Sequence, residues 1–205
     1  KNMWYFNGEI IKTPKSMVIS GIKHPPGIFR DSAMLTSLGI KPYREVVPDN
    51  RYYWQGSYSV DTSGDEVVGT YAKTARDLAT LRTQMLEKTN DKVAGLLEKI
   101  DWYWARAAKG GTAVPSSIAS YATTLYSEHE TKKTEIAGLN TIAKIIEYEN
   151  RAYTETRKQE VYDEDGNMTY HASNTHTLAR EIDMCTHFTV NPNETDAGLV
   201  SLTAD

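Results

Sequence analysis

The residue types that could support chemistry gather near the C-terminal end of the chain. Cys185 is the one cysteine among 205 residues, and His187 follows two positions later. With His171 or His176 they offer the thiolate and imidazole ligands that suit Zn²⁺, and a histidine within reach could activate the thiol as a nucleophile. One intervening residue is not zinc-finger spacing, and nothing near Cys185 resembles a helix N-terminus that would activate it. We therefore expect a solvated strand face here, with a hydrolase or metal enzyme using Cys185 and His187 as the alternative.

An acidic segment further back has the opening spacing of a calcium-binding loop. Asp163, Asp165 and Asn167 alternate along the chain. An EF-hand loop requires glycine at its sixth position and glutamate at its twelfth, whereas methionine and asparagine stand there in this sequence. Gly166 is better explained as a residue at positive φ in a hairpin turn. We predict a turn and no metal site.

The chain contains no familiar catalytic motif. It lacks HExxH, GxSxG and a Gly-rich phosphate loop. Gly110-Gly111 lies between two predicted helices, whereas a phosphate loop follows a strand. We therefore predict no catalytic residue, no cofactor and a protein that is not an enzyme.

The most distinctive cluster is aromatic. Trp102, Tyr103 and Trp104 are consecutive near the predicted end of a long helix, where neighbouring side chains point about 100° apart. A partner helix covers one or two of them, so the others are covered elsewhere in the chain or contact a partner. Together with Tyr121 and Tyr126 of the next helix they are our candidate interface residues. Trp104 is the best candidate for an anchor, because tryptophan and tyrosine concentrate at binding hot spots.

The elements that must position these residues change along the chain. Residues 1–68 combine turn signals with short extended runs and predict a β-rich module, and residues 57–70 are predicted to form a linker or long loop. Apolar residues then recur every three or four positions from about Tyr71 to Gly110, which predicts a helix of about ten turns. Pro115 suits the first turn of a second helix, so residues 69–150 are predicted to form an antiparallel αα-hairpin.

Residues 151–205 return to the alternation of extended strands. We predict a hairpin around the acidic turn, a last strand over 182–190 and a loosely held tail from Glu194. The predicted fold class is α+β, with a β-rich N-terminal module, a central αα-hairpin and a C-terminal β-hairpin with an extra strand.

Composition excludes several classes of partner. With 27 acidic and 23 basic residues the net charge is -4, which is unsuited to displacing counterions from nucleic acid. No apolar run approaches the roughly 18 residues of a membrane span, and we expect neither a signal peptide nor a membrane partner. The 13 Tyr and 4 Trp against 3 Phe favour a protein that makes contacts.

One stretch of sequence resembles a known group of proteins. Asp101-Trp102, Arg106 and Gly110-Gly111-Thr112-Ala113-Val114-Pro115 resemble a "T-D-W-x-x-x-R-x-x-E-x-G-x-x-I-P" stretch. That stretch is typical of bacteriophage tail-accessory, tail-fibre-assembly-like structural proteins, of which marine phages carry many. Ile100, Lys109 and Val114 depart from its Thr, Glu and Ile.

The N-terminal residues extend this resemblance. The similar motifs are Trp4-Tyr5-x-Asn7-Gly8, His24-Pro25, Leu38-Gly39-Ile40 and Asp49-x-Arg51-Tyr52-Tyr53-Trp54. The similarity covers about residues 3–125, and the chain after about residue 150 departs from the group.

The resemblance implies a non-enzymatic virion protein, made in the host cytoplasm, that acts as a tail or tail-fibre adaptor. Its expected partners are other tail, fibre or portal-side proteins and further copies of itself in a homo-oligomer. A fibre-assembly chaperone absent from the particle and a capsid decoration protein are the alternatives. The resemblance brings no catalytic residue with it.

Overall fold

The computed structural model describes residues 2–205. The chain divides into two compact units, Lys1–Arg76 and Asp77–Asp205. The predicted α+β class is confirmed, because strands dominate the first unit while helices and then antiparallel strands form the second.

The N-terminal unit is a strand-rich fold with a five-stranded sheet. The strand order is β2-β1-β5-β7-β6, in which β5 and β7 run parallel and all other neighbours antiparallel, and β3 pairs with β4 separately. A 3-10 helix, Pro26–Arg30, follows β4. The other elements are β1 Met3–Phe6, β2 Glu9–Ile11, β3 Met17–Ile19, β4 Ile22–His24, α1 Ser32–Ser37, β5 Lys41–Val46, β6 Tyr53–Asp61 and β7 Val67–Ala75.

Turn chemistry positions the first half of this unit as the sequence predicts. Asn7 and Gly8 both have positive φ, at 46° and 88°, in the tight turn between β1 and β2. The Asp31 side chain accepts the Met34 N–H and so begins α1. Gly39, with φ of 73°, allows the chain to leave that helix. The adjoining core consists of Trp4, Ile11, Ile28, Phe29, Leu35 and Ile40.

The predicted linker over residues 57–70 is wrong, and so is the helix start near Tyr71. β6 and β7 form a long antiparallel pair with a short connection, and the connection is held by Lys41, whose ammonium donates to the carbonyls of Thr62 and Gly64. Serine and glycine have low strand propensity, so tertiary pairing overrides the local signal here. The helix starts only after Asp77.

The αα-hairpin in the second unit is confirmed. It consists of α2, Leu78–Ala108, and α3, Ser116–Ala137. Arg82 donates to the carbonyl of Ala137, and His129 hydrogen-bonds Asn90, so the helices run antiparallel. The core between them contains Val93, Ile100, Ile118, Tyr121, Ala122 and Leu125, with Phe188 from further along the chain.

Glycine follows the end of α2, and a threonine begins the last helix. Gly110 has φ of 82° just beyond α2, and Pro115 precedes α3. Thr141 accepts the Lys144 N–H to begin α4, Ile142–Glu149. Thr89 interrupts the apolar residues of α2 but is fully buried, because its hydroxyl donates to the Met85 carbonyl within the helix.

The C-terminal strands differ from the prediction in length and position. β8, Arg151–Tyr162, and β9, Met168–Ile182, form a longer hairpin than the one predicted. The tail is not loosely held, because β10, Leu199–Ala204, pairs with β8 and gives the order β10-β8-β9.

The predicted strand over 182–190 is wrong. β9 ends at Ile182, and Asp183 then closes a turn in which its carbonyl accepts the N–H groups of Thr186 and His187. The alternation of apolar and polar residues in this segment reflects Phe188 entering the helical core, not a pleated strand.

Gly69 generates a stability prediction for the N-terminal unit. The hydroxyls of Tyr43 and Tyr58 meet at 2.6 Å over this residue, and an added Cβ would lie 2.3 Å from each oxygen. We expect Gly69→Ala to lower the free energy of unfolding by about 2 kcal/mol through overpacking. Gly27→Ala is the matched control, because no atom lies within 4 Å of its added Cβ. Urea denaturation with the same midpoint for both variants would contradict this packing.

Candidate functional site

The C-terminal end of α2 and the facing part of α3 form an exposed surface that we call the aromatic end. It comprises Trp102, Tyr103, Trp104 and Arg106 of α2 with Tyr126 of α3. Trp102 is 50% exposed, Trp104 40% and Tyr126 58%. The α2–α3 packing therefore leaves both tryptophans of this cluster substantially in solvent.

Trp102, Tyr103 and Arg106 form one stacked group. The rings of Trp102 and Tyr103 lie 3.8 Å apart between centroids, at an interplanar angle of 29°. The guanidinium carbon of Arg106 is 4.9 Å from the Trp102 centroid and 5.4 Å from that of Tyr103. Among residues 2–205 this guanidinium has no ion pair, and its buried Nε has no hydrogen-bond partner. Such a group is preorganised to bind a planar carboxylate.

Trp104 and Tyr126 line a groove between α2 and α3. Its volume is about 470 Å³, and Leu97, Ile100 and Ala122 also line it. Asp101 contributes a carboxylate to the groove. The aromatic end thus carries a groove at Trp104 and Tyr126 and a cation stacked on Trp102 and Tyr103. Exposed aromatic residues and arginine are both enriched at protein-binding surfaces.

Two of the five candidate interface residues, Tyr121 and Tyr103, contact other parts of the chain and are less exposed than the other three. Tyr121 is only 4% exposed and packs in the α2–α3 core, which corrects its assignment to an interface. The reason is its spacing, since Ile118, Tyr121 and Leu125 occupy the buried side of α3. Tyr103 is half-buried, and its hydroxyl accepts a hydrogen bond from the Asn193 side chain at 2.9 Å.

Cys185 and His187 do not form the solvated strand face predicted for them. Cys185 is fully buried and His187 is half-buried, in the turn segment after β9. Burial and the nearby Asp183 carboxylate raise the pKa of the Cys185 thiol to about 12. A thiol in this environment is protonated at neutral pH and is a poor nucleophile.

Glu149, Asp183 and Cys185 nevertheless bring three potential metal ligands together. Their ligand atoms lie within 4.8 Å of one another. The ammonium of Lys88 already forms an ion pair with Asp183 and approaches Glu149 at 3.8 Å. A metal cation would have to displace this lysine and deprotonate the thiol, so the arrangement is better suited to a structural ion pair.

Sequence reasoning missed the polar contacts that hold residues 183–191 against α3. Glu128 accepts hydrogen bonds from both the N–H and the hydroxyl of Thr189. Lys132 is buried, and its ammonium lies 5.1 Å from the centroid of the Phe188 ring. Glu128 and Lys132 are four residues apart and so share one face of the helix, but nothing in the sequence indicates what covers that face.

The acidic turn between β8 and β9 is confirmed as a turn. The Asp163 carboxylate accepts the N–H groups of Asp165 and Asn167 at 3.0 and 2.8 Å. Gly166 has φ of 81°. The backbone N–H of Asn167 is the main cause of a lowered pKa at Asp163, so this carboxylate stabilises the turn.

The N-terminal unit carries separate aromatic–cation pairs. Trp54 is exposed, and the Arg76 guanidinium carbon lies 3.7 Å from its ring centroid. Lys73 contacts the neighbouring Tyr53 ring in the same way at 4.5 Å. These pairs are spread along one edge of the sheet and do not enclose a cavity with convergent polar groups.

Comparisons with protein-family models, curated proteins and solved structures found no significant match to the chain. Within residues 2–205, no helix combines the length and the apolar character required to cross a membrane.

The environment of Cys185 predicts a thiol that reacts slowly. We expect Ellman's reagent to label native protein at neutral pH far more slowly than denatured protein, because the sulfur is fully buried and its pKa is raised to about 12. The denatured chain is the internal control. Rapid stoichiometric labelling of native protein would contradict this burial and revive the nucleophile hypothesis.

The environment of His187 predicts a loss of stability in acid. Burial lowers the pKa of His187, and the Lys132 ammonium and Arg180 lower it further, while Glu128 of α3 opposes them. The Tyr153 ring of β8 also lies near it, with centroids 5.9 Å apart. The folded state therefore binds fewer protons than the unfolded state, and stability falls as the pH drops below the ordinary histidine pKa of about 6.5.

Urea denaturation at two pH values tests this linkage. We expect the decrease in unfolding free energy from about pH 7.5 to about pH 5 to be smaller in His187→Gln than in the wild-type protein. His176→Gln, at an exposed position on β9, is the matched control and should keep the wild-type decrease. An unchanged decrease in His187→Gln would show that His187 is not its source.

Proposed function

We propose that the protein is a non-enzymatic structural adaptor of a bacteriophage virion that makes protein–protein contacts in a tail or tail-fibre complex. The observation that carries the proposal is the aromatic end, where Trp102 and Trp104 are about half exposed and the guanidinium of Arg106, stacked on Trp102, has no ion pair among residues 2–205. The sequence resemblance to phage tail-accessory proteins supplies the biological setting.

The physical support comes from the residue types that the aromatic end leaves in solvent. Tryptophan, tyrosine and arginine are the residues that most often dominate binding free energy at interfaces. They are concentrated at one end of the helical hairpin, and the residues that this surface shares with the hairpin core are Leu97, Ile100, Ala122 and part of Tyr103. A partner can therefore bind there without repacking the fold.

The proposed partners are other tail, fibre or portal-side proteins and further copies of the chain, in the virion. Net charge disfavours nucleic acid as a partner. An enzyme using Cys185 and His187 is the weaker hypothesis, because the thiol is buried and its carboxylate neighbour already pairs with Lys88.

An inventory of purified particles tests the proposed location. We expect mass spectrometry of the particles to detect the protein and cryo-electron microscopy to locate it in the tail or at the fibre attachment. A protein made in the infected cell but absent from the particles would instead be an assembly chaperone. A location on the capsid shell would make it a decoration protein, and either result would overturn the tail-adaptor proposal.

A substitution tests whether the aromatic end makes the contact. We expect Trp104→Ala to weaken association with the particle by about thirtyfold, the loss typical of one hot-spot residue. Trp54→Ala is the matched control, since it removes an exposed tryptophan from the other unit. Equal incorporation of both variants at the wild-type level would contradict a role for this surface.

A further inference from the structure

The second unit carries another exposed surface, at the end of the β8–β9 hairpin. The pairing of β10 with β8 covers residues 153–157, so the hairpin beyond Lys158 has only two strands. We call residues 159–174 the hairpin tip. A two-stranded ribbon is marginally stable by itself in water, which favours contact with another surface.

The hairpin tip combines apolar side chains with negative charge. Val161, Tyr162 and Met168 are exposed. The segment contains four acidic residues and no lysine or arginine; its acids are Glu160, Asp163, Glu164 and Asp165. Asp163 stabilises the turn and Glu160 accepts from the Tyr162 hydroxyl. The carboxylates of Glu164 and Asp165 have no partner among the described residues.

The aromatic end has the complementary properties. From Trp102 to Ser127 the sequence has no acidic residue and two cations, Arg106 and Lys109. Lys109 is exposed, and Arg106 has no ion pair within residues 2–205. Asp101, at the edge of the groove, is the nearest acidic residue along the helix. Both surfaces are exposed in the same unit, so the tip of a chain does not cover the aromatic end of that chain.

We infer that the hairpin tip of one copy docks on the aromatic end of a second copy. Glu164 and Asp165 pair with Arg106 and Lys109, while Tyr162 and Met168 contact the aromatic rings. Because two different surfaces meet, the contact is head-to-tail and generates a ring or an open filament. The inference rests on the proposed function, in that it identifies a further copy as one partner of the aromatic end.

Analytical ultracentrifugation of charge-reversed variants tests this contact. We expect the wild-type protein to self-associate, and Arg106→Glu to weaken the association by about tenfold or more. Glu164→Lys combined with Asp165→Lys should have a similar effect. Association should also weaken between about 0.1 M and about 1 M salt, where the Debye length falls from about 10 to about 3 Å.

Mixing the two defective proteins provides the sharpest result. The acidic tip of the Arg106→Glu protein can bind the intact Arg106 of the protein that carries Glu164→Lys and Asp165→Lys. The tip of that second protein is now basic and can bind the reversed charge at position 106 of the first. The mixture should therefore associate more tightly than either protein alone. Lys144→Glu, at an exposed position on α4, controls for net charge. Lys109→Glu should weaken association in the same direction and serves if Arg106→Glu fails to fold.

A wild-type protein that stays monomeric at all concentrations, or an oligomer that neither reversal weakens, would overturn the inference. Defective variants whose mixture associates no more tightly than either protein alone would also overturn it. If the protein is a monomer but Trp104→Ala still weakens its association with the particle, this inference is wrong and the proposed function stands. A self-associating protein absent from particles would reject the proposed function and leave this contact standing.

Discussion

The insertion of Phe188 between α2 and α3 is the contact on which the arrangement of the second unit depends. Phe188 is buried with Ile100, Ile118 and Leu125 of the helical hairpin. Because β9 ends only six residues earlier, at Ile182, this side chain anchors the segment that leaves the C-terminal sheet in the core of the helices. Burying a phenylalanine side chain contributes roughly 2 to 3 kcal/mol, a large fraction of the stability of an ordinary domain.

The polar groups around this insertion are best understood as its consequence. Residues 183–191 form no strand, so their backbone groups need other partners. Asp183 supplies acceptors to the turn, and Glu128 binds the backbone and side chain of Thr189. Lys132 is buried and His187 half-buried beside them, and burial lowers the pKa of each. The concentration of titratable side chains here thus follows from anchoring an irregular segment, without requiring a catalytic role.

The same geometry explains why the aromatic end remains exposed. The segment after Phe188 extends along the hairpin as far as Asn193, whose side chain reaches the Tyr103 hydroxyl. Trp102, Trp104 and Tyr126 lie on other sides of the helices and receive no such cover. A surface of this composition costs solubility in a free monomer, and it is retained at low cost where another protein covers it.

How far the sequence predicts this molecule depends on whether the signal is local. The αα-hairpin follows from apolar periodicity, Gly110 and Pro115, all of which act within a few residues. The β6–β7 pair escapes prediction, because its Ser- and Gly-rich strands are held by partners far along the chain, such as Tyr43 over Gly69.

For the candidate site too, the features set by local helical geometry are predictable and those set by distant contacts are not. Helical geometry predicts that the consecutive aromatics point in different directions, which is why Trp102 and Trp104 are the sound candidates. The spacing of Tyr121 with Ile118 and Leu125 already places it on the apolar stripe of α3, so its choice as an interface residue gave too little weight to a local signal. The burial of Cys185, by contrast, accompanies the contact of the nearby Phe188 with α2 and α3, which are distant in the sequence. The alternating polarity of this segment resembles that of a strand, although no strand forms.

Site-specific photo-cross-linking in the assembled particle shows whether the aromatic end contacts another chain. A photoreactive phenylalanine analogue in place of Tyr126 conserves the aromatic character of the groove and lies at its exposed edge. We expect irradiation to link this position to another polypeptide, identified by mass spectrometry as a second copy or another tail or fibre protein. Particles that contain the protein but yield no cross-link from this position to any other chain would contradict that contact.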